Sequence, residues 1–177
     1  MDSHYNEMEK IRLNCPCLFG LESVLSYEIK KIGGENLTVT DGKISFDGDC
    51  SILAKANLWL STAERVLIEL GSFEARSFEE LFQGVKSLPF ERFIGKNDAF
   101  PVKGYSLNST LHSIPDCQAI IKKAIVEHLK DIYSISWFDE DGPVHQIQFS
   151  IHKDVVTVFL DTTGAGLHKR GYRRNSN

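Results

Sequence analysis

An Asp-Gly pair at residues 41 and 42 constrains the fold of the first half of the chain more than any other sequence feature. This pair joins two short segments of strand character, residues 37–40 and 43–46. Aspartate followed by glycine readily adopts the positive φ angles of a type I′ turn, which connects neighbouring antiparallel strands. The sequence therefore predicts a β-hairpin over residues 37–46, with a type I′ turn at its tip.

Helical and strand patterns surround this hairpin in a recognisable order. Apolar residues recur at helical spacing over residues 20–32, where Gly33-Gly34 predicts the helix end, and again after Asp49, which can cap the second helix. Strand patterns occupy residues 11–15 and 65–73. The resulting order is strand, helix, strand, strand, helix, strand. This order is typical of the ferredoxin-like split βαβ unit, an α+β arrangement with its helices on one sheet face. We predict such a domain over residues 11–76, after a flexible leader of residues 1–10.

The second half opens with a capping-box pattern, Ser77-Phe-Glu-Glu80, ahead of a helix. A strand is predicted over residues 99–103, and a long amphipathic helix begins after Ser113. Strand patterns at residues 144–151 and 155–160 follow it, and residues 152–154 between them predict a tight hairpin. We expect these elements to form a second α/β domain over residues 77–163.

The segment between the predicted strand and the long helix is a candidate phosphate site. It reads as a loop from residue 103 that is rich in hydroxyl groups and aimed at the helix start, where free amides bind anions. Side chains of these types hold phosphates without reading sequence, and the candidates are Lys103, Ser106, Ser109, His112, Ser113, Lys122 and Lys123. In the alternative reading, Ser113 and Asp116 only cap the helix and the other side chains face water. Ser109 and His112 are not expected to be catalytic, since no acidic residue is placed by the sequence to orient the histidine.

The end of the chain carries a second candidate contact with RNA. The formal charge of the whole chain is −4, yet residues 142–177 hold five basic residues against two acidic ones. The candidate RNA-binding side chains here are His168, Lys169, Arg170, Tyr172, Arg173 and Arg174. An aromatic ring among arginines can stack on an unpaired base. A solvated tail is the alternative, and we predict that this segment and the loop lie on one side of the second domain.

Several classes of function are disfavoured by the sequence. No apolar run is long enough to span a membrane and the first ten residues do not resemble a signal peptide, so we predict a cytoplasmic protein. The four cysteines lack metal-ligand spacing and are predicted to be reduced, small buried side chains, with no metal bound. Gly164-Ala-Gly166 follows a strand, but its third glycine comes too late for a dinucleotide or methyl-donor loop.

Two long runs resemble a known family. One is Phe100-Pro-Val-Lys-Gly-Tyr-Ser-Leu-Asn-Ser-Thr-Leu-His-Ser-Ile-Pro-Asp-Cys-Gln-Ala-Ile-Ile-Lys-Lys-Ala-Ile and the other is Leu160-Asp-Thr-Thr-Gly-Ala-Gly-Leu-His-Lys-Arg-Gly-Tyr-Arg. Both are similar to the THUMP-domain half of the bacterial methyltransferases that modify 23S rRNA at the guanine N2 amine. Members of that family have often been labelled adenine-specific DNA methylases. Residues 17–22 and 63–66 resemble the ferredoxin-like segment that precedes THUMP in those enzymes.

The resemblance implies that RNA binding and methyl transfer belong to different domains. Residues 77–163 would be an α/β THUMP domain with a mixed sheet that binds structured RNA, expected to be rRNA. Residues 164–177 would be a basic linker to a C-terminal methyltransferase domain that uses S-adenosylmethionine. The chain contains neither the glycine-rich donor loop nor the Asn-Pro-Pro-Tyr motif of that domain. We therefore expect an N-terminal fragment, or a naturally truncated relative, that binds RNA but binds no cofactor and transfers no methyl group itself.

Two other readings stay open at this point. A THUMP-type module could serve as an adapter for another RNA modification, such as thiolation or deamination. A ferredoxin-like unit could instead be a protein-interaction or small-ligand regulatory module, because this fold serves many functions.

Overall fold

The computed structural model describes residues 9–163, which fold into two compact units. Residues 9–69 and 161–163 belong to the first unit, and residues 70–160 belong to the second. The strands are β1 (Ile11–Pro16), β2 (Glu35–Thr40), β3 (Lys43–Gly48), β4 (Leu67–Glu74), β5 (Val102–Leu107), β6 (Ile147–His152) and β7 (Val155–Asp161). The helices are α1 (Glu22–Ile32), α2 (Cys50–Trp59), α3 (Phe78–Lys86) and α4 (Ile114–Tyr133), with a 3-10 turn at Phe90–Arg92.

The first unit has the predicted ferredoxin-like arrangement. Its strands lie in the order β2-β3-β1-β4, and each neighbouring pair is antiparallel. The helix boundaries follow local signals in the sequence. Gly33 ends α1 in the left-handed conformation with φ at 102°, and the Asp49 carboxylate accepts a 2.9 Å hydrogen bond from the Ile52 amide at the start of α2. Both signals were predicted from sequence.

The hairpin between β2 and β3 forms as predicted, but its turn is not of the predicted type I′. Thr40 pairs with Lys43, so the connection has two residues, and of these only Gly42 has a positive φ, at 78°. A type I′ turn needs positive φ at both residues. The Gly42 amide donates to the Glu22 carboxylate and its carbonyl accepts from the Cys17 amide, each at 2.9 Å. These contacts with distant residues constrain the turn, and the Asp-Gly pair alone does not reveal them.

The second unit contains the predicted mixed sheet, in the order β4-β7-β6-β5. Strand β6 is antiparallel to β7 and parallel to β5, and α4 lies between the parallel strands in the chain. The α3 capping box is present, with the Ser77 hydroxyl accepting from the Glu80 amide at 3.1 Å. At the β6–β7 hairpin both turn residues, Lys153 and Asp154, have positive φ of 50° and 65°. Type I′ turn geometry therefore occurs here.

Strand β5 ends four residues later than predicted. The expected strand covered residues 99–103, whereas the parallel pairing with β6 continues to the Leu107–His152 pair. In the sequence, Gly104 interrupts the strand pattern of side chains. In the structure, a Cβ at this position would lie 2.2 Å from the Phe149 carbonyl oxygen. The missing side chain lets β5 approach β6 closely, so glycine extends the strand here.

Three residues after the second unit return to the first. Asp161 pairs with Arg65, at 2.5 Å between carboxylate and guanidinium, and Asp161 is almost completely buried. Thr162 donates to the Val66 carbonyl through its amide (3.0 Å) and its hydroxyl (2.6 Å). The Asn57 side-chain amide donates to the same hydroxyl at 3.0 Å. The first unit is therefore closed by residues 161–163.

Candidate nucleic-acid interface

The connection between β5 and α4 is shorter than the predicted loop and is held by hydrogen bonds. It comprises residues 108–113, because Lys103 and Ser106 lie within β5. Asn108 begins it with a positive φ of 48°, a conformation that asparagine tolerates better than most residues. The candidate side chains are consequently divided between a strand edge, this connection and α4.

The serine hydroxyls of this region hold its backbone in place. Ser106 donates to the Leu111 carbonyl at 2.5 Å, and Ser109 donates to the Leu107 carbonyl at 2.8 Å. The Ser109 oxygen also accepts from the Asp154 amide at 3.0 Å. Because both hydroxyl protons are already donated to main-chain carbonyls, these serines contribute to an interface by fixing the shape of the connection.

Asp154 links this connection to the β6–β7 hairpin. Its carboxylate accepts from the Thr110 amide at 2.7 Å and from the Arg76 guanidinium at 3.2 Å. The hydrogen bond from Thr110 is the main cause that holds the Asp154 pKa below the ordinary aspartate value, and Arg76 adds to the effect. Sequence reasoning missed Asp154, since it and Thr110 are far apart in the chain and no local pattern connects them.

The lowered pKa of Asp154 predicts a pH-dependent stability. A carboxylate with a depressed folded pKa stabilises the protein fully above the unfolded aspartate pKa, and this contribution is lost as the pH falls through the folded value. Asp154→Asn should therefore be clearly less stable than the wild type at neutral pH, and the difference should shrink in the acid range. Urea unfolding midpoints measured in steps from neutral to acid pH would check this. Asp141→Asn, which removes the same charge from an exposed position, is the control, and a difference independent of pH would contradict the prediction.

His112 and Ser113 lie at the entrance to α4. The exposed His112 ring has its Nδ1 atom 3.0 Å from the Thr110 carbonyl, an acceptor, so the protonated Nδ1 donates there and Nε2 faces away from this bond. Ser113 occupies the N-cap position of α4, but its side chain makes no capping hydrogen bond. Ser113 therefore has the expected position at the helix start, but the expected capping hydrogen bond from its side chain is wrong. Pro115 in the first turn lacks an amide donor, which reduces the number of amides that need a cap.

The three candidate lysines have different surroundings. Lys122 donates to the Phe100 carbonyl at 3.2 Å, pairs with Glu140 at 2.6 Å, and lies 3.7 Å from the centre of the Phe100 ring. Lys123 lies over the Phe82 ring at 5.9 Å. Lys103 is exposed on β5, and its ammonium makes no ion pair within residues 9–163. Among these lysines, Lys103 is the one best placed to meet an incoming anion.

The basic candidates of the terminal segment lie outside the described residues. These are His168, Lys169, Arg170, Tyr172, Arg173 and Arg174. The expectation that this segment and the β5–α4 connection lie on one side of the second domain therefore stays a prediction.

Three of the four cysteines, Cys15, Cys17 and Cys117, are buried as predicted, whereas Cys50 is only half-buried. Cys15 and Cys117 are completely buried, and burial raises the pKa of the Cys15 thiol to about 12. In the described part of the chain, no three His, Cys, Asp or Glu residues cluster as metal ligands would. Between residues 9 and 163 no helix combines the length and the apolar character needed to cross a membrane.

Two family models match this chain and together cover most of its described residues. The RlmL ferredoxin-like domain matches residues 12–67, and the THUMP domain matches residues 75–161. The second match contains the whole of β5, the connection and α4.

Individual relatives are about twice as long as this chain. YpsC of Bacillus subtilis, named as a candidate RNA methyltransferase, is 44% identical over 168 residues, which are 94% of this chain and 43% of YpsC. A Listeria monocytogenes protein described as a predicted N6-adenine-specific DNA methylase is 43% identical, with a TM-score of 0.86 over 100% of this chain and 47% of its own. SMU.472, a candidate methyltransferase solved in complex with SAH, is 40% identical with a TM-score of 0.83, covering 94% of this chain and 45% of its own.

Proposed function

We propose that this chain, which belongs to the proteins that join an RlmL ferredoxin-like domain to a THUMP domain, is the RNA-binding portion of an RNA methyltransferase. The observation that carries the proposal is the THUMP match over residues 75–161, which includes the candidate interface between β5 and α4. The printed name of YpsC supports RNA as the substrate class. The SAH bound to SMU.472 supports S-adenosylmethionine as the methyl donor of the longer relatives, since SAH is what remains of the donor after methyl transfer.

The proposed substrate is large-subunit rRNA, following the family resemblance of residues 100–125 and 160–173. In this proposal residues 77–163 bind the RNA, residues 11–76 form the ferredoxin-like domain that precedes them, and residues 164–177 lead to a catalytic domain beyond them. The methyl donor would be held by that domain, and we assign no residue of this chain to it. Bound S-adenosylmethionine would supply the methyl group, while this chain would position the acceptor.

The described residues suggest how this positioning works. Lys103 and the Nε2 side of the His112 ring are directed to solvent at the two ends of the β5–α4 segment. Asp154, Ser106 and Ser109 hold the backbone between them in one conformation. A rigid segment of this kind contacts the phosphate backbone at a small entropic cost, and contacts of this type fix register without reading sequence.

Charge reversal of the terminal segment tests the proposal. Replacing Lys169, Arg170, Arg173 and Arg174 by glutamate should weaken binding to structured rRNA fragments and reduce its dependence on salt. Each lost phosphate contact lowers the slope of log K against log salt by about 0.9 for a duplex. We therefore expect the slope to fall by about 2 to 4, measured by fluorescence anisotropy over a salt titration.

A second quadruple variant controls for net charge. Replacing Lys30, Lys31, Lys43 and Lys55, which are exposed in the first unit, by glutamate changes the charge by the same amount and should leave the slope nearly unchanged. Equal losses in both variants would mean that the terminal segment has no special role. If the folded wild-type chain binds no RNA at low salt, the proposed function is wrong and a protein-interaction module is the better reading.

A further inference from the structure

One face of the sheet in the second unit is largely uncovered, since most of its side chains are exposed or half-buried. On the opposite face the side chains of β6 and β7 form the buried core, including Phe149, Ile151 and Val158. The register places a row of side chains from three strands on the uncovered face, which we call the open face. Its members are Lys103, Tyr105 and Leu107 on β5, Gln148, Ser150 and His152 on β6, and Val155, Thr157 and the buried Phe159 on β7.

The centre of the open face is a tyrosine flanked by hydroxyl groups. Tyr105 is 52% exposed and pairs in register with Ser150, which pairs with Thr157 on the next strand. The Thr157 hydroxyl is 3.1 Å from the Ser72 hydroxyl of β4, so the row continues across the fourth strand. An exposed aromatic ring beside hydroxyl groups matches the needs of a nucleobase, which stacks through its face and hydrogen-bonds through its edge.

The charges around Tyr105 also favour a nucleic acid. Lys103 precedes it by two residues on the same face of β5, and no carboxylate belongs to the open face as defined above. The nearby acids Glu74 and Asp154 are both paired with Arg76. An RNA phosphate next to a stacked base would therefore meet a cation and no unpaired acid from these strands.

We propose that the open face is a platform for unpaired RNA nucleotides, with Tyr105 stacking on a base. The inference rests on the proposed function and adds to it the class of RNA element recognised. Strand β5 leads directly into the β5–α4 connection, so the platform is continuous with the segment proposed to contact the RNA phosphates. The open face carries a single lysine, Lys103, which is too few cations to follow a duplex but enough for one flexible strand.

The test compares two RNA probes and three variants of the whole chain. The probes are an RNA hairpin with a single-stranded uridine extension and the same hairpin ending blunt. Tyr105→Ala should weaken binding to the extended hairpin about 5- to 150-fold, the range found when one base–aromatic stack is removed, and should affect the blunt hairpin little. Tyr105→Phe should retain wild-type affinity, because the ring is kept. Tyr27→Ala, at a more exposed tyrosine in the first unit (67% exposed), should have no effect.

Each outcome bears on one of the two proposals. If the wild type binds both hairpins equally, or if Tyr105→Ala binds the extended hairpin as tightly as the wild type does, the platform is wrong while the proposed function stands. If the wild type binds neither probe, RNA binding itself is contradicted and the open face is better explained as a protein contact. Circular dichroism and thermal unfolding would verify that Tyr105→Ala is folded, which is expected because the side chain is exposed.

Discussion

Gly104→Ala is expected to lower the free energy of unfolding by about 3 kcal/mol, near the upper end of the range for overpacked sites. An added Cβ would lie 2.2 Å from the Phe149 carbonyl oxygen and 2.5 Å from the Phe149 ring. The nearest atom belongs to the backbone of the paired strand, so the clash is relieved only if β5 separates from β6. Urea unfolding followed by circular dichroism would measure the loss, and failure of the variant to fold would be its extreme form.

Gly84 in α3 provides a matched comparison. A Cβ there would also lie 2.2 Å from its neighbour, but its three closest atoms all belong to the Phe73 ring. Phe73→Leu should therefore rescue Gly84→Ala, with help from the better helix propensity of alanine, worth about 1 kcal/mol. Phe149→Leu should not rescue Gly104→Ala, since the carbonyl oxygen stays in place. Rescue of both glycine variants would contradict the assignment of the clash to the backbone.

Asp98→Ala is expected to cost about 3 to 5 kcal/mol, the range for breaking a buried polar pair by removing one partner. Asp98 is 1% exposed and His145 is 5% exposed, and the His145 Nε2 atom lies 2.9 Å from the Asp98 carboxylate. The Gly95 amide donates to the same carboxylate oxygen at 2.6 Å. Truncation would leave two buried groups without this acceptor, and each unsatisfied group adds to the cost.

A double-mutant cycle separates the pair from the rest of its surroundings. The loss in the Asp98→Ala, His145→Ala double variant should be smaller than the sum of the two single losses, because the contact can be broken only once. Glu35→Ala removes an exposed ion pair with Lys10, whose side chains are 62% and 63% exposed, and should change the unfolding midpoint far less. If Asp98→Ala costs no more than Glu35→Ala, the pair does not stabilise the second unit.

Elements with local signals could be predicted from the sequence. The Asp49 and Ser77 caps and the Gly33 stop each act through atoms within a few residues, and all three are found where expected. The predicted end of β5 was wrong because a glycine such as Gly104 is found both in loops and in strands that lie very close to a neighbouring strand. Which meaning applies depends on Phe149, whose pairing with β5 no local pattern reveals.

The candidate site was less predictable than the fold. Residue types in the β5–α4 segment suggested phosphate donors, but they do not show that Ser106 and Ser109 already donate to main-chain carbonyls. Those bonds depend on the hairpin that brings Asp154 to Thr110, 44 residues away in the chain. Tyr105 escaped notice as a candidate for a related reason. Its exposed position becomes apparent only when the strand register assigns it to one sheet face.

The closing of the first unit by residues 161–163 has a consequence for synthesis on the ribosome. A nascent chain that has emerged to Glu69 contains the described residues 9–69 of that unit but lacks residues 161–163. Asp161 and Thr162, which contact Arg65, Asn57 and the Val66 carbonyl, are translated only after the whole second unit. The N-terminal unit, although translated first, therefore acquires its contacts with Asp161 and Thr162 only after the second unit has been synthesised.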